Sequence, residues 1–258
     1  MDLLLDNKTF LVTGASSGFG KAVTESLLKE NARVIAFARN IDKLKTLQST
    51  LGDKLMLVPG DVLIDESLNG LIKAAIEYNI DGLFVNAGGP PAKSALETTL
   101  EDWDEGYRLL VRWKIQLVQQ LIPHLRKKSN SRIIFNESIS VKQPIKNLAL
   151  SNSLRLAIVG YVKTLSQEVA GDGITVNVLA PGYHDTEALN RIFKKKSEQL
   201  NISVAEAKEK IIETIPVERL GKPENYATLA AWLFSNFSSY ITGQTISIDG
   251  GVMQGVLG

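Results

Sequence analysis

A glycine-rich turn near the start of the chain limits its fold more than any other feature. The turn reads Thr13-Gly14-Ala15-Ser16-Ser17-Gly18-Phe19-Gly20, follows an apolar run at 10–12 and precedes a helical pattern that begins near Lys21. Where a strand turns into a helix, a phosphate group can approach bare backbone N–H groups at the positive end of the helix. The spacing predicts a dinucleotide-binding turn, with contacts from Gly14, Ser16, Ser17, Gly18, Phe19 and Gly20.

Short apolar runs alternate with longer amphipathic segments along the 258 residues. Most runs are rich in Val, Ile and Leu without polar alternation, which is typical of parallel strands buried on both faces. This rhythm predicts a doubly wound parallel sheet of the Rossmann type in one domain, 1–258, with helices on both faces. The predicted strands are 9–13, 33–38, 54–58, 81–86, 132–136, 175–180 and 245–249. The predicted helices are 20–30, 42–50, 65–78, 102–128, 152–170 and 223–236.

Composition excludes several classes of function. The formal net charge is +1, which favours neither nucleic acid nor an anionic membrane as a partner. The absence of cysteine excludes disulfides, thiolate metal sites and cysteine nucleophiles, and no metal site is predicted. No apolar run approaches the roughly 20 residues of a membrane span. Because the first residues lack a basic region and an apolar signal core, we expect a cytoplasmic protein.

The end of the second predicted strand bears on which dinucleotide is bound. An acidic residue about 20 residues beyond the glycines would bind the ribose hydroxyls of NAD. Ala38 stands at that place, and Arg39 follows it. An arginine can instead pair with a 2′-phosphate, so this position favours NADP. The alternative is that Arg39 is a solvated loop residue.

Two further loops follow successive strands at the same expected edge of the sheet. Asp61 and Val62 follow the third strand, where a short polar side chain can reach an adenine ring. Asn86, Ala87 and Gly88 follow the fourth strand, where the cofactor must lie. Each loop taken alone fits ordinary turn chemistry. Their placement after consecutive strands favours a shared binding site.

Taken together, these motifs resemble the short-chain dehydrogenase/reductase family, and most of all its branch of 3-oxoacyl-(acyl-carrier-protein) reductases. Two later motifs add to the resemblance: Pro181-Gly182-x-x-x-Thr186, and Thr242-Gly243-Gln244-Thr245 with a closing Asp249-Gly250-Gly251. It covers essentially the whole chain. It implies an NADP(H)-dependent oxidoreductase acting on a carbonyl or secondary alcohol, with a 3-oxoacyl thioester as one candidate substrate. It also implies cofactor contacts from Pro181, Gly182, His184 and Thr186.

The resemblance carries expectations about the lid and about assembly. The charged segment at about 183–220 lies between Pro181-Gly182 and the next core helix, where a substrate lid is expected. Its Lys194–Lys196 run suits an acidic carrier, although such a run is more often a solvated helix face. Members of the family commonly form tetramers through two long helices, here 102–128 and 152–170. A homotetramer or homodimer is therefore expected, with four residues as interface or core candidates: Trp103, Trp113, Leu117 and Leu121.

The catalytic positions depart from the family pattern. In the family, a tyrosine protonates the substrate oxygen, a lysine four residues later lowers its pKa, and an upstream serine polarises the carbonyl. Ser138 matches that serine, but the tyrosine and lysine positions read Ser151 and Arg155, and the usual asparagine position falls on Leu110. Serine is a much weaker acid than tyrosine, and arginine cannot pass a proton as lysine can. Ser151 and Arg155 are spaced i,i+4, so both can face the cofactor.

Other groups are conceivable as proton donors. His184 titrates in a useful range, but a pocket-lining role is favoured. Tyr161 cannot replace the missing tyrosine, because Lys163 follows at the wrong spacing. Glu137 precedes Ser138 and is expected to point away along the strand.

Two main hypotheses about the function remain. In the first, Ser138, Ser151 and Arg155 bind and polarise a substrate oxygen, and another acid or water supplies the proton. Arg155 then also contacts the cofactor. In the second, the protein binds NADP(H) without turnover, as a sensor, scaffold or assembly partner. A third hypothesis is that the protein is a lyase or isomerase that uses the same pocket.

Overall fold

Seven parallel strands form one sheet at the centre of the computed structural model, which describes residues 1–256. Their order is β3-β2-β1-β4-β5-β6-β7, so the chain reverses direction across the sheet between β3 and β4. The strands are β1 (Thr9–Thr13), β2 (Arg33–Ala38), β3 (Leu55–Pro59), β4 (Gly82–Val85), β5 (Ser131–Asn136), β6 (Ile174–Pro181) and β7 (Thr245–Ile248). The predicted fold class is confirmed, and predicted and observed strand ends differ by one residue at most.

Helices cover both faces of this sheet. They are α1 (Gly18–Lys29), α2 (Ile41–Leu51), α3 (Asp65–Glu77), α4 (Leu100–Tyr107), α5 (Trp113–Leu125), α6 (Ala149–Val169), α7 (Glu187–Leu200), α8 (Val204–Ile212) and α9 (Pro223–Phe234). The helix predicted over 102–128 is present, and the chain is helical from Leu100 to Leu125, but its α-helical hydrogen-bond pattern is interrupted. A π-helical turn, Arg108–Arg112, separates α4 from α5. Such turns often occur at functional sites.

The core has two layers, one on each face of the sheet. Because successive side chains of a strand point to opposite faces, Leu11 packs into the layer under α3, α5 and α6, whereas Val12 packs into the layer under α1, α2 and α9. This two-sided burial explains why the strands read as continuous apolar runs. Among the helices of residues 1–256, none combines the length and apolar character that crossing a membrane requires.

The reversal of strand order creates the crevice where a ligand can bind. β1 pairs with β2 on one side and with β4 on the other. The chain therefore leaves the carboxyl ends of β1 and β4 toward opposite halves of the sheet. Such a switch point leaves an open crevice outside these ends. The predicted cofactor motifs at 13–20 and 86–88 lie at this place.

The segment predicted as a lid consists mainly of two helices, α7 and α8. They share a small apolar cluster formed by Leu189, Phe193 and Ile211. Two contacts tie α7 to the body of the protein. Lys43 Nζ lies 3.2 Å from both carboxylate oxygens of Glu187, and Lys195 donates a hydrogen bond to the carbonyl of Ala92.

Three of the four residues that were candidates for a subunit interface belong to the core. Leu117 and Leu121 are fully buried, and Trp113 is almost fully buried, in the layer beneath α5. Trp103 is partly buried and donates its ring N–H to Thr98 Oγ1 at 3.1 Å. The apolar face of α5 therefore packs on this chain's own sheet.

We expect Leu117→Ala to lower the free energy of unfolding by about 2–5 kcal/mol, because it leaves a cavity in a closed core. Urea unfolding at several protein concentrations measures this. Ile76→Ala is the control, since Ile76 is half exposed on α3, and its effect should stay within about 0.5 kcal/mol. A loss for Leu117→Ala that depends on protein concentration would contradict its assignment to the core.

Candidate active site

The glycine turn is tightly packed against the end of β4. Gly14 has a φ of +64°, and a Cβ added there would lie 2.6 Å from Asn86 Nδ2. A Cβ at Gly20 would collide with the backbone of Gly14. Helix α1 begins at Gly18 and has no acidic residue in its first turn. Its positive end is therefore open to an anion, and the turn fits a dinucleotide pyrophosphate.

A chain of hydrogen bonds connects this turn to the ends of β4 and β5. Thr13 Oγ1 donates to the Asn86 carbonyl and accepts from its N–H, both at 2.8 Å. Asn86 Nδ2 donates to the Thr13 carbonyl at 3.2 Å, and Asn136 Nδ2 donates to Asn86 Oδ1 at 2.8 Å. The Tyr226 hydroxyl then donates to Asn136 Oδ1 at 2.8 Å. The network holds Asn86 against the glycine turn.

Asn136 and Tyr226 are site residues that the sequence analysis missed. Asn136 is a polar residue at the end of the apolar run of β5, and that contrast was an available signal. Nothing in the sequence distinguished Tyr226, because an aromatic residue in a helix such as α9 is usually part of the hydrophobic core. Burial, together with the nearby Glu137 charge, raises the pKa of the Tyr226 hydroxyl well above its usual range. Tyr226 therefore stays protonated and acts as a structural donor.

The residues predicted to contact the adenosine half lie at the ends of β2 and β3. Arg39 is exposed just after β2 and, within residues 1–256, forms no ion pair with a carboxylate. Asp61 Oδ1 accepts the N–H of Leu63 at 3.0 Å, which closes a turn. Val62 packs against the core layer. Arg39 is thus available to an anionic group, and the Asp61 carboxylate is partly engaged.

The loop after β6 lies against the glycine turn. Strand β6 ends at Pro181, Gly182 follows it, and a Cβ on Gly18 would lie 3.8 Å from the methyl of Thr186. His184 Nδ1 lies 3.2 Å from the Gly182 carbonyl. The predicted cofactor contacts at 14–20 and 181–186 are therefore adjacent.

The His184 side chain is unsuited to proton transfer. Its ring packs edge-on against Phe19 and Tyr226, with centroids 5.1 and 6.0 Å away. The residue is only 4% exposed, and burial lowers the pKa of its imidazole. This agrees with the lining role favoured from the sequence. The backbone of His184, rather than its ring, remains available to a cofactor.

The predicted catalytic residues come together through a serine that the sequence analysis missed. Ser138 follows β5, and its Oγ accepts the N–H of Ser140 at 3.1 Å. Ser140 Oγ lies 3.3 Å from Ser151 Oγ, and Arg155 Nε donates to Ser151 Oγ at 3.2 Å. Ser138 is half-buried, whereas the other three residues are buried. The three serines and the Arg155 guanidinium therefore belong to one hydrogen-bonded cluster.

Glu137 does not point away from the site, and that expectation was wrong. Its Oε2 accepts from Arg155 Nη1 at 2.9 Å, and its side chain is fully buried. Strand β5 ends at Asn136, so the period-two alternation that predicted the direction no longer applies to Glu137. Arg155 Nη2 lies 3.5 Å from the Gly88 carbonyl, which brings the guanidinium to the edge of the cofactor crevice.

Lys114 is a charged residue that the sequence analysis missed. Its Nζ lies 2.6 Å from Glu137 Oε1, and its side chain is fully buried. Burial, with a smaller contribution from the nearby Arg155 charge, lowers the pKa of Lys114 to about 8, against the raising effect of Glu137. The available signal was a lysine on the apolar face of α5. Leu110, at the family's asparagine position, lies one turn earlier in the π-helical turn and is buried in the core.

Comparison with known proteins identifies the relatives of this arrangement. A family profile described as enoyl-(acyl carrier protein) reductase matches residues 14–253. A 3-oxoacyl-[acyl-carrier-protein] reductase of Rickettsia typhi is 33% identical over 246 residues, which span 95% of this chain and 97% of that protein.

Solved structures agree with these sequence matches. The L-sorbose reductase of Gluconobacter frateurii, complexed with NADPH and L-sorbose, superposes with a TM-score of 0.92 at 28% identity, covering 99% of this chain and 100% of that one. A short-chain oxidoreductase of Pseudomonas aeruginosa, described as containing an atypical catalytic center, has a TM-score of 0.86 at 28% identity. That match covers 96% of this chain and 98% of the other.

The depressed pKa of Lys114 predicts a pH-dependent stability. Below pH 8 both folded and unfolded Lys114 carry the proton. Between about pH 8 and pH 10.5 only the unfolded state keeps the proton on Lys114, so the free energy of unfolding rises with pH. Relative to Lys114→Met, we expect the wild type to gain up to ~3 kcal/mol across this window.

Urea unfolding at pH 7, 8, 9 and 10 measures the difference between the two proteins. Lys127→Met is the control, because Lys127 is exposed just beyond α5, and the gap between this control and the wild type should not change with pH. If the gap for Lys114→Met were equally constant, the shifted pKa would be contradicted.

Proposed function

The chain belongs to the short-chain dehydrogenase/reductase family, and we propose that it is an NADP(H)-dependent oxidoreductase of carbonyl or secondary alcohol substrates, with a 3-oxoacyl thioester as the first candidate. The observation that carries the proposal is the convergence of Ser138, Ser151 and Arg155 beside Gly88. They line the crevice at the carboxyl ends of β4 and β5, where the glycine turn opens to a dinucleotide.

The proposed cofactor is NADP(H), which would supply or accept a hydride. Arg39 would pair with the 2′-phosphate, because no acid occupies position 38 and because Arg39 is exposed. Arg155 would anchor the nicotinamide ribose from the other end of the crevice. The remaining proposed contacts come from the glycine turn and from the loops after β3, β4 and β6: Gly14, Ser16, Ser17, Gly18, Phe19, Gly20, Asp61, Val62, Asn86, Ala87, Gly88, Pro181, Gly182, His184 and Thr186.

In the proposed mechanism, hydroxyl groups bind the reacting oxygen of the substrate. Ser138 and Ser151 would donate hydrogen bonds to it, and Arg155 would stabilise the negative charge that develops there. Arg155 keeps its charge at any working pH and cannot serve as a proton donor. The proton would therefore come from water or from an acidic group of the substrate itself.

The two lid helices would cover the substrate. Two contacts of α7 support this proposal: Glu187 pairs with Lys43 of α2, and Lys195 donates a hydrogen bond to the Ala92 carbonyl in the loop after β4. Lys194 and Lys195, which are exposed, and Lys196, which is half-buried, would favour an acidic carrier or a phosphate-bearing acyl group. We also propose a homo-oligomer, a tetramer or dimer, built on the outer surfaces of α4 and α6.

The second candidate function is NADP(H) binding without turnover. It is favoured by one observation, the serine at position 151, which lacks the acidity of a tyrosine hydroxyl. The protein would then act as a sensor, scaffold or assembly partner on the same fold. Both candidates share the cofactor site, so only turnover separates them.

We expect the protein to oxidise NADPH with at least one compound in a panel of ketones, 3-oxoacyl thioesters and quinones, followed by the absorbance of the reduced nicotinamide. Ser138→Ala should lower kcat by about 10²–10³-fold, because it removes a donor to the reacting oxygen. Its Kd for NADPH should not change. Ser153→Ala, on the exposed side of α6, is the matched control. Tight NADPH binding with no oxidation by any compound would favour the silent alternative.

We expect Arg39→Ala to raise the Kd of NADPH by about 10–100-fold, because a charge-assisted hydrogen bond to the 2′-phosphate is lost. The Kd of NADH should stay within about twofold, since NADH lacks that phosphate. Fluorescence titration of both cofactors measures this. Arg33→Ala, at the opposite end of β2, should change neither affinity. An equal loss for both cofactors would overturn the assignment of Arg39.

A further inference from the structure

A row of three charged side chains lies behind the proposed catalytic serines. Glu137 sits in the middle, 2.6 Å from Lys114 Nζ and 2.9 Å from Arg155 Nη1. We propose that Glu137 is the positioning residue of this site, which orients the Arg155 guanidinium toward the crevice, and that Lys114 holds the other carboxylate oxygen of Glu137 in place. The inference rests on the proposed function of Arg155 and adds two residues to it.

The burial of this row indicates a role beyond stability. The side chains of Lys114 and Glu137 are 0% exposed, and that of Arg155 is 7% exposed. Removing charges from water is costly, and apolar residues of similar volume often hold a core together equally well or better. The row ends at the guanidinium that lines the crevice. Orienting that group is a function that apolar residues cannot supply.

The hydrogen bonds show how Glu137 sets the orientation of Arg155. A guanidinium has five N–H groups in one plane. Arg155 Nε donates to Ser151, and Nη1 donates to both the Glu137 carboxylate and, at 3.4 Å, its backbone carbonyl. This leaves Nη2 directed at the loop that contains Gly88. Glu137 therefore decides which edge of the guanidinium faces a ligand.

The charges of the row support the same role. Lys114 and Arg155 contribute two positive charges and Glu137 one negative charge, so the row carries a net +1 when Lys114 is protonated. Without the carboxylate, two buried cations would repel each other across the gap that Glu137 now fills. Both oxygens of Glu137 are engaged, one by each cation. The carboxylate thus fixes the geometry and the charge of Arg155 together.

Glu137 acts through Arg155 and does not touch a ligand. Its side chain has no exposed surface, and Lys114 and Arg155 occupy its two oxygens. The other ionisable group near it is Tyr226, whose hydroxyl donates to Asn136 and whose raised pKa keeps it neutral. These contacts distinguish a positioning residue from a proton donor.

The test compares Glu137→Gln, Glu137→Asp and the double variant Lys114→Met/Glu137→Gln with the wild-type protein. Three quantities are measured: kcat and KM per folded protein, the Kd of NADPH, and Tm. Glu168→Gln, an exposed glutamate on the same face of the sheet as Arg155 and on helix α6, is the control. Folded protein is quantified by circular dichroism before each assay.

For Glu137→Gln we expect kcat to fall by roughly 10²-fold, because Arg155 is displaced from the reacting oxygen. The Kd of NADPH should rise by about 10-fold, because one charge-assisted contact is lost. Glu137→Asp should recover part of both values. The double variant removes one of the two buried cations and so relieves their repulsion, which should recover Tm but not kcat.

Two outcomes would overturn the proposal. The first is a kcat and an NADPH affinity for Glu137→Gln within about threefold of the wild type, with only Tm reduced. The second is a double variant that recovers kcat as well as Tm, since Glu137 would then serve charge balance alone. If the wild type shows no turnover, the oxidoreductase proposal fails, yet the Kd of NADPH still reports whether Glu137 positions Arg155.

Discussion

The hydrogen bonds between Thr13 and Asn86 join the two halves of the sheet at the place where the functional residues gather. They connect the end of β1 to the residue after β4, and the chain departs from these strands in opposite directions. The crevice exists because of this divergence. The Asn86 side chain also fills the space that a Cβ on Gly14 would need. The cofactor turn and the sheet are therefore one packing unit.

The departures from the family pattern at the catalytic positions are physically coupled. Arginine at position 155 presents a planar fork, which reaches Ser151 with one edge and Glu137 with another. A lysine, as a single point charge, could not bridge both partners in fixed directions. Glu137 in turn needs a second cation for its other oxygen, and Lys114 of α5 supplies it. The buried row thus connects Ser151 and Arg155 to Glu137 and Lys114 through direct contacts.

The sequence predicted some parts of this structure well and others poorly, for local reasons. Strands such as β1 and β6 are recognisable because burial on both faces leaves an uninterrupted apolar run. The π-helical turn between α4 and α5 was not predicted, since the apolar spacing across 108–112 is also compatible with a continuous α-helix. Leu117 and Leu121 suited a core or an interface equally. Only the position of α5 over the sheet decided between them.

By itself, the sequence determined the fold class, the dinucleotide turn and the absence of a tyrosine and a lysine at positions 151 and 155. Each of these features depends on residues that are close together along the chain. Only the tertiary structure decided that Glu137 faces Arg155 and that Lys114 completes the row. These residues come from α5, the end of β5 and α6, which are distant along the chain. Their charges meet because packing on the sheet buries them together, and no local pattern encodes that distance.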